Sequence, residues 1–486
     1  MEKNLTMTYY DMEADSGSCV RATCISCSYV TVDENFKTIE EGTFNSRLRK
    51  SRAFEIDAML AHNIPLSKIQ NEELSNGELV DKLEAKFIEL AKKGTTFVGY
   101  NSSSYDMVLL HHMLHLNLKY PFITSSSQFD LLPAVRTASV FADGALKYEK
   151  NSKLNTSFKL QDMIKANNIK SEIAHDSLWD TRATKDLGKI LFQKAPEIFN
   201  ASIALRKKAD VLPRIKDGIF CWNEFFFAKA RIFCGCYLGN TIYPNWYYLY
   251  DLRQPPEEIV SIMDNREELR NKVDSSPRFI RICKGNRSPI FLEQENALID
   301  QEYKSIGIKE LEKRYKYLIK YREELSVRLR DIAQEKIEEK NQFDQELKQP
   351  EENLYGLMFE INKERKNMND FNLAKELSDK KKIFNNFKNE EVKMLAKMKL
   401  YEDLSEDDFC KVLSKKEFNR LKKRIANYLL DTSNSFSPFT KIPEQLARLD
   451  TLKLYAENAK DDKKSKQLQE LDDYLVKMMN DYEQYR

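Results

Sequence analysis

The chain is poor in several things, and each shortage excludes something. In its 486 residues there is no run of about 18 consecutive apolar residues, so no segment reads as a membrane-crossing helix. Charge of one sign is lacking too: 78 Lys and Arg against 76 Asp and Glu leave a formal net charge of +2. A general polycation is excluded, and any contact with nucleic acid must come from local patches. The eight cysteines are spread too thinly for a disulfide scaffold, which makes a reducing compartment the default. Glycine is scarce at 13 residues, while Lys and Asn are abundant; this suggests an AT-rich coding source, bacterial or viral. The first apolar run, Leu5 to Tyr10, is short and leads directly into acidic residues, which leaves no room for a signal peptide. The expected location is cytoplasmic.

What is present has a changing texture. The length exceeds one hydrophobic core, so roughly two to four domains are expected. Strand patterns dominate 5–32. A helix is expected from Ser75 to Lys93, with Leu79, Leu83, Phe87 and Leu90 at helical spacing and Gly94 as its stop. Thr95 to Tyr100 reads as a buried strand. Helices follow at Tyr105–Leu114, Leu131–Val140, Phe158–Ala166 with Ser157 as N-cap, and Asp176–Leu191. Alternating strands and helices predict an α/β domain ending near residue 200. Residues 218–250 are crowded with aromatics punctuated by Gly235, Gly239 and Pro244, and read as short strands whose aromatics mostly form a β core. Ile308 to Leu347 reads as one long charged helix closed by Pro350, and 351–486 as helical with a break at Ser433–Pro443. Cys24 with Cys27, and Cys234 with Cys236, are read as small buried side chains on strands, since the two pairs share no zinc-ligand spacing.

Four short segments carry acidic chemistry. In Tyr9-Tyr10-Asp11-Met12-Glu13, residues two apart on a strand share a face, so Asp11 and Glu13 present two carboxylates together. Unpaired carboxylates side by side repel, which points to a cation between them. Asp106 falls where a strand passes into a helix, and Asp180 one turn inside a later helix, with His175 in the loop before it. Four carboxylates and one histidine suit two Mg²⁺ ions: in two-metal hydrolysis one ion activates water and the other stabilises the leaving oxygen. A histidine with a pKa near ~6.5 can accept the water proton at neutral pH.

In this order and in an α/β frame, these residues resemble the DEDDh exonuclease superfamily. Asp11, Glu13, Asp106 and Asp180 match its metal-binding acids, and His175, five residues before Asp180, matches its catalytic histidine. Within the superfamily the chain is most similar to the bacterial exodeoxyribonuclease I family, through Phe129-Asp130-Leu131-Leu132, Ser157-Phe158-Lys159-Leu160-Gln161, Lys165-Ala166-Asn167-Asn168-Ile169 and Ala174-His175-Asp176. The similarity is strongest over 95–195, and continues weakly through Gly235–Thr241 and Pro289–Leu292. It implies a ribonuclease H-like exonuclease domain with a mixed sheet over 1–203, an SH3-like β domain with a long charged helix over 204–349, and a helical domain over 350–486. It also implies Mg²⁺-dependent 3′→5′ hydrolysis of single-stranded DNA to 5′-mononucleotides, with Mn²⁺ as a substitute, by a monomer that a single-strand-binding protein recruits. The departures are Ala14 where the family carries Thr, Asp15 after it, which can alter metal affinity, and Ser104 where a basic residue is frequent.

Two rivals share the motifs: an RNA 3′-end exonuclease, distinguished by how the 2′-OH is sensed, and a non-catalytic nucleic-acid-binding scaffold, against which the presence of all five residues argues. Asn101, Lys159, Lys422 and Lys423 are the candidate nucleic-acid contacts. Of the basic runs Arg206-Lys207-Lys208, Lys380-Lys381-Lys382 and Lys422-Lys423-Arg424, the reading is a solvated helix face. His111, His112 and His115 are read as packing and surface.

Overall fold

The structure, a computed structural model, describes residues 5–62, 64–170, 176–343, 348–433 and 439–486. The N-terminal third is built on five strands: β1 (Met7–Ala14), β2 (Cys24–Val32), β3 (Thr38–Asn45), β4 (Thr96–Gly99) and β5 (Gln128–Asp130). They lie in the order β3-β2-β1-β4-β5. β1 pairs antiparallel with β2 and parallel with β4, and β4 runs parallel to β5. The sheet is therefore mixed, and β1 is at its centre.

Alternation along β1 sends its side chains to two different cores. Met7 and Tyr9 join the cluster that contains Leu187 and Leu191 of the helix Ser177–Lys194. Tyr10 and Met12 join the opposite cluster with Leu79, Leu83, Phe87 and Leu110. Leu79, Leu83 and Phe87 belong to the helix Asn76–Lys92, whose start is a full capping box: Ser75 Oγ accepts from the Glu78 amide and Glu78 Oε2 from the Ser75 amide. The helix Ser177–Lys194 approaches β1 so closely that a Cβ at Gly188 would stand 2.6 Å from the Tyr9 hydroxyl. Glycine is required there by proximity.

A second sheet follows, of β6 (Phe220–Phe226), β7 (Lys229–Asn240), β8 (Trp246–Asp251), β9 (Ile280–Lys284) and β10 (Leu292–Glu293). Its order is β10-β6-β7-β8-β9, and every pairing is antiparallel. Half of the twelve aromatics of 218–250 are fully in the core: Phe220, Trp222, Phe233, Tyr247, Tyr248 and Tyr250 are buried, Phe225, Phe226, Tyr237 and Trp246 are half-buried, and Phe227 and Tyr243 are exposed. Cys221, Cys234 and Cys236 are buried on β6 and β7, and Cys24 and Cys27 on β2.

The expected long helix over 308–347 is two helices, Ile308–Leu318 and Arg322–Phe343; 344–347 lie outside the described residues. The break falls just before Arg322, the residue that interrupts the apolar seam. Leu311, Leu318, Leu325, Leu329 and Ile332 bury their seam in the same core as Leu238 and Tyr250 of the second sheet. At Gly239 of β7 an added Cβ would overlap Ser326 of the second helix, so glycine lets helix and sheet close up. The described residues from the helix Met358–Leu373 to Asp462–Glu483 form helices joined by short connections; 434–438, within the break expected at Ser433–Pro443, lie outside the described residues. The core of these helices takes in Phe54, Ile56 and Met59 near the start of the chain. The helix expected from Phe158 begins at Leu160 instead, with Lys159 at its N-cap; Ser157 Oγ donates to the Asp162 carboxylate and accepts from the Lys159 amide at 3.4 Å, ahead of the first turn. Among the described residues, no helix is long and apolar enough to cross a membrane.

Candidate active site

β4 pairs with β1 only through Met7, Thr8 and Tyr9. Beyond that point β1 continues without a parallel neighbour, and the opening at the carboxyl ends of β1, β4 and β5 is where an α/β sheet binds ligands. Asp11 and Glu13 lie in this stretch, on one face and partly exposed.

The helix Asp106–Leu116 begins at this opening. Asp106 is buried, and its Oδ1 accepts from the Met12 amide at 3.1 Å, which ties the helix to β1 between the two acids. The loop before it is held by Asp130 at the end of β5. Asp130 accepts from the amides of Asn101, Ser103 and Leu132 at 2.8, 3.0 and 3.1 Å, and from Ser103 Oγ at 2.6 Å. A Cβ on Gly99 would collide with Ser102, so this turn needs glycine at its start. From sequence Asp130 stands out only within the segment Phe129-Asp130-Leu131-Leu132 that carries the resemblance; its grip on the loop carrying Asp106 depends on contacts between β5 and residues 101–103, which no local pattern announces. Asp130→Ala is expected to destabilise the chain by about 3 kcal/mol through unpaired buried donors, and to lower activity by displacing Asp106. Urea denaturation and nuclease rates on the same preparation check this.

Asp180 comes from the other side. The helix Ser177–Lys194 is capped by Asp176, which accepts from the Leu178 and Trp179 amides. Its first turn is fastened to β2 by Ser177 Oγ, 2.7 Å from both Ser26 Oγ and Ser28 Oγ. Asp180 is thereby set opposite β1, and Gln161 donates from its amide to both carboxylate oxygens at 2.9 and 3.1 Å. Carboxylate oxygens of Asp11, Glu13 and Asp180 all fall within 4.8 Å of one another. Asp106 is outside that group of three, beside it, and all four acids line one cleft of about 950 Å³. His175 lies outside the described residues. Asn101 and Lys159 line the same cleft, together with Phe158, Arg136 and, from the second sheet, Phe225. The Arg136 guanidinium carbon is 4.4 Å from the centre of the Phe225 ring.

Lys422 and Lys423 lie elsewhere. The Lys422 ammonium is 4.6 Å above the Tyr482 ring and is partly buried. Arg424 pairs with the buried Glu351, while Lys423 is exposed. Asp15 does not line the cleft; it accepts from the Thr23 amide at 2.6 Å and is buried. Of the three histidines read as packing and surface, all are buried.

The electrostatics mark the cleft as a place for cations. Burial, then the neighbouring Asp106, Glu13 and Asp180 charges, push Asp11 far above the usual carboxylate range. Burial, then the Asp180, Asp106 and Asp176 charges, bring Glu13 up to about 8, and burial brings Asp106 up to about 7. With nothing positive between them, these acids hold protons at pH values where an ordinary carboxyl has lost them. The oxygen-only donor set and the charge count fit a hard divalent ion.

A stability prediction follows. Unfolded carboxyls titrate near ~4, whereas in the metal-free folded chain Glu13 and Asp106 titrate at about 8 and about 7. Between those limits the folded chain carries protons that the unfolded chain has released, so its stability falls as pH rises through this window. In EDTA the thermal midpoint should be lower at pH 8 than at pH 6. Added Mg²⁺ should raise it at pH 8 by about 3 °C or more, and by less at pH 6, where protons compete. Calorimetry across pH with and without the ion checks both signs.

No protein-family model matches the chain. It is 31% identical over 126 residues to exodeoxyribonuclease I of Buchnera aphidicola subsp. Schizaphis graminum, a match that covers 25% of this chain and 26% of that enzyme. The matched stretch thus spans about a quarter of that relative's length. The solved structures extend the likeness to nearly the whole chain. A moderately thermophilic exonuclease I from Methylocaldum szegediense superposes with a TM-score of 0.78 at 17% identity, over 98% of this chain and 100% of that one. The chain has the exonuclease I fold. A structure of Escherichia coli exonuclease I in complex with a dA16 oligonucleotide gives a TM-score of 0.74 at 16% identity, again over 98% of this chain and 100% of that one. The exonuclease I fold therefore takes in the acidic cleft, the second sheet and the helical part together. The resemblance read from the motifs stands.

Proposed function

We propose that the chain is a Mg²⁺-dependent exonuclease that removes 5′-mononucleotides from the 3′ end of single-stranded DNA. The observation that carries this reading is the convergence of Asp11, Glu13 and Asp180 within 4.8 Å, beside Asp106, in a cleft wide enough for a nucleotide. Asp11, Glu13, Asp180 and Asp106 would hold the metal ions, which supply an activated water and charge stabilisation at the leaving oxygen when bound.

The chain's own residues do the rest. Asp106, fixed by the Met12 amide, and Asp180, oriented by Gln161, keep their oxygens in place without needing to reorganise during the reaction. Phe225, partly exposed and packed against the buried Phe158, would meet a terminal base, and base stacking tolerates any sequence. Lys159, Asn101 and Arg136 are placed to meet phosphate oxygens and the terminal sugar. His175 takes the proton from the attacking water. The division into 1–203, 204–349 and 350–486, and recruitment by a single-strand-binding protein, belong to the same proposal and rest on the family resemblance.

Substrate choice is tested by incubating the chain and Mg²⁺ with 5′-labelled single-stranded DNA, duplex DNA and RNA of one sequence. The expected order is single-stranded DNA well ahead of both others. Equal or faster loss of RNA would assign the cleft to RNA ends instead.

A further inference from the structure

Single apolar side chains left in solvent are ordinary. Leu154 and Phe227 are a special case. At 81% and 89% they are the two most exposed large apolar side chains among the described residues, and both stand on turns that border the catalytic cleft. Leu154 lies at the tip of the turn between Lys150 and Thr156, which are bridged as in a small antiparallel hairpin. Asn151 and Thr156 of that turn line the cleft. Phe227 lies at the tip of the β6–β7 hairpin, whose pairing runs out to Phe226 and Lys229 and leaves a two-residue turn. Phe225 and Ala228 of that hairpin line the same cleft. The two turns meet near their roots, where the rings of Phe158 and Phe225 are 5.1 Å apart.

The backbone marks the same two tips. Leu154 has φ +58°, and Phe227 and Ala228 have φ +50° and +58°. Bulky side chains crowd the backbone in this region, so a two-residue turn with positive φ at both positions prefers Asn-Gly or similar pairs. Phe-Ala fills it here. Each tip combines a strained backbone with apolar surface in water, and its exposure leaves little within the chain to offset either. Strain held at the edge of a site points to a role there. The hairpin beneath Phe227 is also braced. The Arg281 guanidinium carbon is 4.0 Å from the centre of the Phe233 ring and 5.5 Å from that of Phe226, and Arg136 holds Phe225 from the first domain.

The surroundings name what the tips meet. Lys153 adjoins Leu154 and Lys229 closely follows Phe227, both exposed. Apolar points flanked by cations suit base faces set between phosphates, and Phe and Leu are among the side chains that open base steps as wedges. The cleft of about 950 Å³ has the size of a small-ligand pocket, so it takes the end of one strand and no duplex. Side chains that gripped a strand inside it would be covered by its walls. These two stand clear, and what they reach is the part of the substrate still outside. We propose that Leu154 and Phe227 form a strand-separating edge, which packs on the last base pair of a stem while the 3′ strand of that pair passes into the cleft. This rests on the nuclease reading and extends it, from 3′ ends already single-stranded to 3′ ends held in weak secondary structure. Opening a base step bares base faces. The two side chains cover them, and the frayed end stays open while its 3′ nucleotide reaches the acids.

The test uses the full chain with Mg²⁺ and two 5′-labelled DNA strands of equal length. One is unstructured. The other folds into a short stem of A·T pairs followed by a single-stranded 3′ tail. The rate of passage through the stem is divided by the rate over the same positions of the unstructured strand, so a change in the active fraction of a preparation cancels. The variants are Leu154→Asn, Phe227→Asn and the two combined, with Phe227→Trp as the change that keeps a ring. Asn tolerates the left-handed region, so the Asn variants trim the tips without disturbing the turns. The ratio should fall by at least about fivefold in Phe227→Asn, the low end for losing one base stack, and further in the combined variant. It should hold in Phe227→Trp, and the rate on the unstructured strand should be unchanged throughout. An unchanged ratio overturns the proposal, and if both rates fall together the tips grip single strands instead. A raised ratio overturns it too and makes the tips a barrier to duplexes, as does a Phe227→Trp ratio as low as that of Phe227→Asn, which removes the ring from the argument. Failure of the nuclease reading shows separately, as absence of digestion of the unstructured strand by the wild-type chain.

Discussion

Asp11→Asn is expected to lower the rate of nucleotide release by about 10³-fold or more, and at the same time to raise the thermal midpoint of the metal-free chain. The two effects have one cause. Asp11 is pressed from several sides by Asp106, Glu13, Asp180 and Asp176, in a cleft whose acids repel one another until a cation enters. The amide keeps the shape of a carboxyl that cannot ionise. At alkaline pH, where Asp11 would otherwise be driven to ionise in a buried site beside Asp106, Glu13 and Asp180, that relieves the repulsion and stabilises the metal-free fold, and at every pH it takes away a ligand oxygen whose value is realised in the transition state. Binding of single-stranded DNA in EDTA should be unchanged near pH 7, where the wild-type Asp11 holds its proton. A labelled-oligonucleotide assay and calorimetry on the same protein read both effects. A variant with wild-type rate would remove Asp11 from the site.

His175→Ala is expected to cost about 10²–10⁴-fold in rate at pH 7, the range for loss of a general base. His175 is itself outside the described residues, yet its attachment to the chain is informative. It directly precedes Asp176, the cap of the Asp180 helix, and Asp176 is near enough to the acids to push Asp11 and Glu13 upward. The deficit should shrink as pH rises, because hydroxide supplies what the imidazole provided. Metal affinity, read by calorimetry, should be nearly unaffected. A rate deficit that is flat from pH 6 to pH 9 would make His175 a positioning residue instead.

The acids were legible in the sequence because each signal is local. Asp11 and Glu13 follow from strand alternation, and Asp106 and Asp180 from their places at helix starts. Other residues were hidden because their roles are set across the fold. Gln161 reaches Asp180 from a separate helix, and the Ser26–Ser177–Ser28 fastening joins positions about 150 residues apart in the chain. The basic run Lys422-Lys423-Arg424 shows the opposite error of local reading. As a run of like charges it suggests a solvated face, but Arg424 is spent on buried Glu351 and Lys422 on the Tyr482 ring. The long helix over 308–347 is divided at 319–321, although Leu311, Leu318, Leu325, Leu329 and Ile332 on both sides of the break share one core with the second sheet. The apolar edge of Leu154 and Phe227 was the least legible of all: its two turns lie far apart in the chain, and only the fold sets both beside one cleft.

The central claim, that the cleft of Asp11, Glu13, Asp106 and Asp180 removes nucleotides from 3′ ends with a divalent ion, is tested most directly by one digestion. A single-stranded oligonucleotide carrying different labels at its two ends is incubated with the chain, with Mg²⁺ or with EDTA. With Mg²⁺ the 3′ label should leave first as a mononucleotide while the 5′ label passes through a ladder of shortening products, and with EDTA neither label should move. Early release of the 5′ label, internal fragments in place of a ladder, or undiminished digestion in EDTA would contradict the account.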